Sequence, residues 1–184
     1  MDEACFGSGV MRNSANPYNQ PRPLYTPAEQ ARRDASPWTL VQAILAPVQF
    51  VVFLISLWLV LRYLLTGEGY MAASISIVLK TLVLYAIMIT GSIWEKDVFG
   101  QYLFVPAFFW EDVVSMLVLA LHTAYLVALF TAALTPFQEM VLALAAYASY
   151  VVNAAQFLLK LRAARLQRES ASDELIANGA EGSA

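Results

Sequence analysis

Long apolar stretches separated by short polar ones make up most of this chain. Four of them are nearly free of charge and long enough to cross roughly 30 Å of hydrocarbon, which takes about 20 helical residues. They predict spanning helices at about residues 38–65, 71–93, 108–134 and 137–161. Pro47 lies inside the first and predicts a kink there. The pattern therefore predicts an all-α fold, a bundle of four transmembrane helices.

Local motifs predict where two of the helices begin. Thr26, Pro27 and Glu29 combine a capping-box pattern with proline at the first helical position. They predict a short surface helix that ends near Asp34. The same pattern returns at residues 135–138 and opens the fourth span, so a tight hairpin joins the third and fourth spans.

The two ends of the chain differ from its middle. Residues 1–24 are rich in proline and asparagine and lack the apolar core of a secretory signal peptide, so we expect a disordered leader. Residues 163–184 are expected to form a cytoplasmic tail. From residue 169 onward this tail has too few large apolar groups to become ordered. The membrane domain is thus expected over residues 25–162.

Basic residues indicate the orientation of the bundle. With four spans, the following basic residues fall on one side: Arg12, Arg22, Arg32, Arg33, Lys96, Lys160, Arg162, Arg165 and Arg168. Only Arg62 falls on the other side. Because short cytoplasmic loops collect Lys and Arg, both termini are expected in the cytoplasm. The aromatic and charged loop predicted for residues 94–110 lies on the same side.

Composition removes several classes of function. The 184 residues are 59% hydrophobic and 14% charged with a net charge of -3, and no basic tract of a nucleic-acid binder occurs. Cys5 is the only cysteine and His122 the only histidine. This excludes an intrachain disulfide, a thiolate metal cage and bis-histidine haem ligation. We therefore expect no nucleic acid as a partner and no metal site in the chain itself.

Acidic residues near the third span are the first candidates for chemistry, because charge close to hydrocarbon is costly and usually functional. Glu111 and Asp112 open this span, and Glu95 lies in the loop before them. Mutual repulsion and partial burial would leave one carboxylic acid able to donate a proton. Negative charge at a helix N-terminus is also favoured for structural reasons alone.

Lys80 and His122 are the other ionisable groups inside the spans. Glu111 and His122 share one helix face with Ser115, since the eleven residues from 111 to 122 span about 16 Å with little change of azimuth. Lys80 is expected either to pair or snorkel, or to meet an anionic ligand. His122 is expected either to bond between helices, or to act as an axial ligand or proton carrier.

Polar side chains also recur at helical spacing within two spans. They are Gln42, Gln49 and Ser56 in the first span, and Ser149, Asn153 and Gln156 in the fourth. Such groups commonly hydrogen-bond between membrane helices. Their expected role is to join helices, with lining of a substrate cavity as the alternative.

Two segments resemble a known enzyme family. They are RRDASPWTLVQ (residues 32–42) and SIWEKDVFGQYLFVPAFFWEDVVSMLVLALHTAYL (residues 92–126), which contain the strings WEK, FFWED and LHTAY in this order. The chain is similar to the 3-vinyl bacteriochlorophyllide hydratases of photosynthetic bacteria over about residues 25–162. The resemblance implies a hydro-lyase of bacteriochlorophyll biosynthesis. Its reaction adds water to the ring-A vinyl group of a chlorophyllide or bacteriochlorophyllide and gives a 1-hydroxyethyl group.

The resemblance also implies where the protein works and with what. No redox cofactor is required, and the protein needs no cofactor of its own because the substrate carries its magnesium. The implied location is the bacterial inner (intracytoplasmic photosynthetic) membrane, crossed several times. The implied partners are the pigment substrate, the lipid bilayer and other bacteriochlorophyll-pathway enzymes.

Hydration chemistry gives these positions hypothetical roles. Markovnikov addition needs an acid that protonates the terminal vinyl carbon and a base that takes a proton from the incoming water. The hypothesis is that Glu111 or Asp112 is the acid, and that its neighbour or Glu95 orients the water. The candidate substrate-binding residues are Trp94, Phe109, Trp110, Lys80 and His122.

Two other classes of function stay open from the residues alone. A non-enzymatic (bacterio)chlorophyll-binding or photosystem assembly protein would use His122 and the aromatic loop to hold a chlorin. A small transporter or channel would need a continuous polar path, and the outer half of the bundle offers little for it beyond Lys80.

Overall fold

Five helices make up the described part of the chain in the computed structural model, which describes residues 24–181. The leader predicted for residues 1–24 lies outside these residues except for its last position. The helices are α1 (Pro27–Ala35), α2 (Pro37–Thr66), α3 (Tyr70–Phe99), α4 (Phe109–Thr131) and α5 (Pro136–Glu181). Four segments, namely α2, α3, α4 and Pro136–Leu166 of α5, are long and apolar enough to cross a membrane. The predicted all-α fold is thereby confirmed, and it contains four helices of the length and composition that membrane spans need.

Apolar side chains cover the outside of the bundle as well as its core. Phe50, Trp58 and Leu79 are examples of large side chains that lie exposed on the outer surface. Apolar surface of this extent is stable only against hydrocarbon, because water disfavours large exposed apolar patches. Phe53 and Tyr147 belong to the buried core, where the four long helices meet.

The four long helices form two antiparallel hairpins. α2 packs along α3 and α4 along α5, and contacts of α2 with α5 and of α3 with α4 join the hairpins. The ends of α3, α5 and the starts of α2, α4 therefore share one end of the bundle. α1 packs against α3 at this end.

Both predicted helix starts are confirmed. Thr26 caps α1, with reciprocal bonds to the backbone and side chain of Glu29. Because the Thr26 amide and hydroxyl bond to its carboxylate, the pKa of Glu29 is lower than its usual value. At α5, Thr135 N–H donates to Gln138 Oε1 over 3.0 Å, and Gln138 N–H donates to Thr135 Oγ1 over 3.4 Å.

The end of α3 corrects the prediction of a loop over residues 94–110. α3 continues to Phe99 and ends at Gly100, whose left-handed backbone (φ 83°) suits glycine. The loop is therefore residues 100–108, and Glu95 lies on the last turns of α3. Charged residues ended the apolar run, but they are good helix formers and do not end a helix.

The end of α5 corrects the second boundary. The disordered tail predicted from residue 169 was wrong as far as Glu181, because α5 continues to that residue. Six of the thirteen residues 169–181 are Ala or Glu, which favour helix, and extension of an existing helix needs no new nucleation. Residues 182–184 lie outside the described residues. α2 is one helix through Pro47, and the kink there stays a prediction.

Polar side chains join the helices, as predicted from the polar residues that recur in the first and fourth spans. Gln42 Nε2 donates to Thr90 Oγ1 over 2.7 Å between α2 and α3. Asn153 Nδ2 donates to Ser115 Oγ over 2.9 Å between α5 and α4. Gln49 differs from them, since neither its side-chain oxygen nor its nitrogen has a hydrogen-bond partner among the described residues.

A buried hydrogen bond between α2 and α5 yields a prediction about stability. Ser56 Oγ lies 2.5 Å from Tyr147 Oη and 2.7 Å from Ser76 Oγ. Tyr147→Phe should lower the free energy of unfolding by about 1 kcal/mol, the size of such bonds between membrane helices. Reversible unfolding in mixed micelles measures it. The control Tyr85→Phe removes an exposed bond to Thr123 and should cost less; a larger cost in the control would contradict the prediction.

Candidate active site

Three buried carboxyl groups meet where α3 ends and α4 begins. Glu95 lies on the last turns of α3, and Glu111 and Asp112 lie in the first turn of α4. They are 6%, 6% and 3% exposed, respectively. The structure thus brings together all three carboxyl groups that the sequence suggested as catalytic. We call them the carboxylate cluster.

Glu95 and Asp112 form a pair across the interface between α3 and α4, where their carboxyl groups interact directly. Asp112 Oδ2 also accepts a hydrogen bond from Phe104 N–H over 2.7 Å. Glu95 Oε2 is buried with no hydrogen-bond partner among residues 24–181. Ionised carboxylates only accept hydrogen bonds, so two carboxyl groups can bond to each other only when one carries a proton. The pair is therefore suited to hold a proton.

Glu111 has a different partner, the ammonium group of Lys160 on α5. Lys160 Nζ lies 2.6 Å from Glu111 Oε2, donates to the carbonyl oxygen of Ala107 and stands 4.9 Å from the centre of the Phe108 ring. An ammonium at this distance stabilises the carboxylate form of its partner. In the sequence Lys160 contributes only to the prediction of topology, because no local pattern identifies a partner 49 residues away.

The charges of the carboxylate cluster do not balance. Its three carboxyl groups face one ammonium, so full ionisation would leave two uncompensated negative charges, three minus one, in a poorly solvated place. Retention of a proton by one carboxyl group relieves part of this imbalance. Among the described residues, no three His, Cys, Asp or Glu side chains are arranged to hold a metal ion.

An aromatic wall packs beside the carboxylate cluster. The buried Phe108 ring contacts Trp94, Phe99 and Phe157 with 5.9 Å between ring centres in each pair. Tyr25, which precedes α1, adds a ring 6.4 Å from that of Phe108. Trp94, predicted to bind substrate, is therefore part of a packed wall at this end of the bundle.

An exposed aromatic patch lies on the outer side of the same end. We give this name to Tyr102, Phe104, Phe109 and Trp110, which are all exposed. Phe109 contacts both Phe104 and Trp110, at 5.9 and 5.5 Å between ring centres. Phe104 has a left-handed backbone (φ 57°), rare for a bulky residue. Phe109 and Trp110, also predicted to bind substrate, directly precede Glu111 and are free to meet a flat ring.

Lys80 and His122 lie together deep in the bundle, away from the carboxylate cluster. Both are 0% exposed, and Lys80 Nζ is 3.0 Å from His122 Nε2. His122 Nδ1 lies 2.8 Å from the Val118 carbonyl oxygen, which only accepts, so Nδ1 carries the hydrogen and Nε2 accepts from Lys80. His122 shares the buried face of α4 with Glu111, as predicted, but lies about 16 Å farther along the helix.

The half of the bundle on the far side of Lys80 from the carboxylate cluster is more polar than the sequence suggested. Tyr70 Oη donates to Glu139 Oε2 over 2.5 Å, and Glu139 is buried. Ser74 and Tyr125 are buried near this pair. Ser74 and Tyr125 lie within apolar runs of the sequence. Single hydroxyl groups do not interrupt a hydrophobic pattern, so the pattern did not indicate these residues.

Similar proteins place the chain in a known family. A sequence model described as 2-vinyl bacteriochlorophyllide hydratase matches residues 25–163. The 2-vinyl bacteriochlorophyllide hydratase of Rhodobacter capsulatus is 70% identical over 147 residues, 80% of this chain and 85% of that protein. The protein of the same name from Cereibacter sphaeroides is 68% identical over 150 residues, 82% of this chain and 93% of that protein. No solved structure matches the chain. The chain belongs to the 2-vinyl bacteriochlorophyllide hydratase family.

Proposed function

We propose that this chain adds water to the ring-A vinyl group of chlorophyllide or bacteriochlorophyllide and gives the 1-hydroxyethyl product. Family membership makes it a hydratase, a hydro-lyase of bacteriochlorophyll biosynthesis. The same vinyl group is numbered 2 or 3 according to the numbering scheme of the macrocycle. The observation that carries the mechanism is the carboxylate cluster, in which three buried carboxyl groups face one ammonium.

The Glu95–Asp112 pair is the proposed acid. The proton that the pair holds goes to the terminal vinyl carbon, and the π electrons of the double bond form the new C–H bond. The positive charge then rests on the carbon attached to the macrocycle and is delocalised into the ring. Asp112 remains as a carboxylate beside Glu95, close enough to stabilise that charge.

Glu111 is the proposed base. The oxygen of a water molecule bonds to the cationic carbon, and the water gives one proton to the Glu111 carboxylate. Transfer of this proton back to the Glu95–Asp112 pair restores the starting state. The reaction therefore consumes one water molecule and forms no by-product. From the sequence alone, Glu111 and Asp112 are both candidates for the acid. The bond from Lys160 favours Glu111 as the base, because an ammonium stabilises a carboxylate.

The exposed aromatic patch is the proposed docking surface for the flat macrocycle, since aromatic faces stack on π systems. The carboxylate cluster is nearly covered in the structure, so we propose that the loop of residues 100–108 moves when pigment binds. This movement would break the hydrogen bond from Phe104 N–H to Asp112, which holds the loop. Its loss frees Asp112 Oδ2 for the vinyl group and relaxes the left-handed backbone of Phe104.

The deep pair of Lys80 and His122 has no step in this mechanism, and its binding of substrate stays a prediction. Nε2 of His122 accepts a hydrogen bond from Lys80, so it is not free to bind the magnesium of a pigment. This disfavours the alternative of a non-enzymatic pigment-binding or assembly protein, which relied on His122. The protein is proposed to need no cofactor or metal of its own, because the substrate carries its magnesium.

Orientation and location complete the proposal. The carboxylate end of the bundle carries the basic residues Arg32, Arg33, Lys96, Arg162 and Arg165, whereas Arg62 lies at the other end. By the bias of cytoplasmic ends toward Lys and Arg, both termini and the site face the cytoplasm. The proposed location is the bacterial inner (intracytoplasmic photosynthetic) membrane. Other bacteriochlorophyll-pathway enzymes are the proposed partners that deliver the vinyl pigment and take the product.

Single substitutions of the carboxyl groups test the acid–base roles. Glu95→Gln, Asp112→Asn and Glu111→Gln are each expected to lower kcat by about 10²–10⁴-fold, the usual contribution of a general acid or base. Conversion of vinyl pigment to hydroxyethyl pigment in isolated membranes measures this. Asp97→Asn is the matched control, since Asp97 is exposed on the same helix as Glu95, and it should keep full turnover. Full turnover in all three cluster variants would contradict the mechanism.

Substitution of Lys160 tests whether it acts through Glu111. Lys160→Met should lower turnover by about 10–100-fold, because a hydrogen bond to a charged group is worth about 1.5–3 kcal/mol, whereas Lys160→Arg keeps the charge and most of the activity. In the double variant with Glu111→Gln the two losses should not add, because the residues work as one unit. Additive losses would show that Lys160 acts independently of Glu111.

Cysteine labelling tests the proposed orientation. In a Cys5→Ser background, a membrane-impermeant thiol reagent added outside spheroplasts should label Glu68→Cys, between α2 and α3. It should label Gln101→Cys, in the loop beside the carboxylate cluster, only after lysis. The reverse pattern would place the site on the periplasmic side.

A further inference from the structure

Unpaired polar atoms occur inside the bundle between the Lys80–His122 pair and the carboxylate cluster. Gln49 on α2 is 2% exposed, and neither its Nε2 nor its Oε1 has a hydrogen-bond partner among the described residues. On α5, the buried atoms Asn153 Oδ1 and Gln156 Oε1 also lack one. No solvent compensates such atoms in hydrocarbon, so leaving them unbonded is costly.

Gln49 and Asn153 lie at the same level of the bundle. The rings of Phe53 and Tyr150 contact across α2 and α5 with 4.9 Å between centres, and Lys80 Nζ lies 5.9 and 4.2 Å from those centres. α2 runs away from the carboxylate end and α5 runs toward it. Gln49 lies four residues before Phe53, and Asn153 lies three residues after Tyr150. Both are therefore about 4.5–6 Å nearer the carboxylate cluster than these two rings are.

Polar groups continue from this level to the carboxylate cluster. Asn153 Nδ2 donates to Ser115 Oγ over 2.9 Å, and Ser115 lies one helical turn from Glu111. Gln156 lies about one turn from Lys160, which bonds to Glu111 over 2.6 Å. A polar group is thus present at each helical turn between Lys80 and Glu111. We call this series, namely Gln49, Asn153, Ser115 and Gln156, the polar column.

We propose that the polar column binds ordered water molecules and that its end at Glu111 supplies the water added to the vinyl group. A buried water typically makes about three hydrogen bonds to groups that would otherwise be unsatisfied, and the free amide atoms of Gln49, Asn153 and Gln156 offer them. Hydration of the column is a property of the bundle alone, whereas the supply of water rests on the proposed function.

A supply from inside the bundle fits the geometry of the proposed reaction. A macrocycle docked on the exposed aromatic patch covers the carboxylate cluster from the loop side, which hinders entry of water there. Ser115 and Asn153 lie on the opposite side of Glu111, toward the middle of the membrane. Water at this end of the column can reach the cation while its proton passes to Glu111, and the column refills when the pigment leaves.

Hydroxyl-radical footprinting of the wild-type protein in lipid nanodiscs tests whether the column is hydrated. Radicals formed from water oxidise side chains next to ordered water, so the buried rings of Phe53 and Tyr150 should be labelled. Phe50, half exposed toward lipid on the same helix, should not. Gln49→Leu should reduce the labelling, and the lipid-facing control Val48→Leu should not. Labelling of Phe53 and Tyr150 no greater than that of Phe50 overturns the proposal.

Turnover tests the supply of water. Ordering of a water molecule costs free energy, so Gln49→Leu, which removes two hydrogen-bonding groups from the column, should lower kcat by about tenfold with KM unchanged. Val48→Leu should keep the wild-type kcat. Loss of labelling without loss of turnover overturns the supply role. Failure of the proposed function shows separately, as full turnover in the carboxylate variants, and leaves the footprinting result intact.

Discussion

Polar groups inside a lipid-embedded bundle have no bulk solvent to bond to, so they bond to one another or, in the proposed polar column, to ordered water, and this requirement governs the interior of the structure. Glu111 is held by Lys160, and Asp112 by the Phe104 N–H. Among residues 24–181, Asp112 is the carboxyl group that acts on Glu95. Where partners are too few, as in the carboxylate cluster, the imbalance has to be met by a proton, and a proton is what the hydration of a vinyl group needs.

The Lys80–His122 pair and the carboxylate cluster differ in this respect. Lys80 and His122 satisfy each other, and the Val118 carbonyl accepts the remaining imidazole hydrogen. Three aromatic rings surround the Lys80 ammonium, so this pair is complete without a ligand. The carboxylate cluster is incomplete, since Glu95 Oε2 has no partner among the described residues. The unpaired oxygen of Glu95 thus lies at the end of the bundle where the proposed proton is held.

Local signals in the sequence predict where the membrane helices lie. They do not predict the contacts between residues that are far apart in the chain. Apolar runs predicted four spans, and the caps at Thr26 and Thr135 predicted two helix starts, because both signals lie within a few residues. The end of α3 was missed because charge ends an apolar run several residues before Gly100 ends the helix. Glu111 was recognised by its type and place, but its bond to Lys160 depends on how α4 packs on α5, which no local pattern records.

The proposed mechanism requires that the Glu95–Asp112 pair holds a proton in the resting protein. Infrared spectroscopy of the protein in lipid at neutral pH measures it directly, through the carbonyl stretch of a protonated carboxylic acid. Such a band is expected in the wild type, shifted in deuterated water and weakened in both Glu95→Gln and Asp112→Asn. A spectrum with only carboxylate bands, or a carbonyl band that both substitutions leave unchanged, would show that the pair holds no proton at rest.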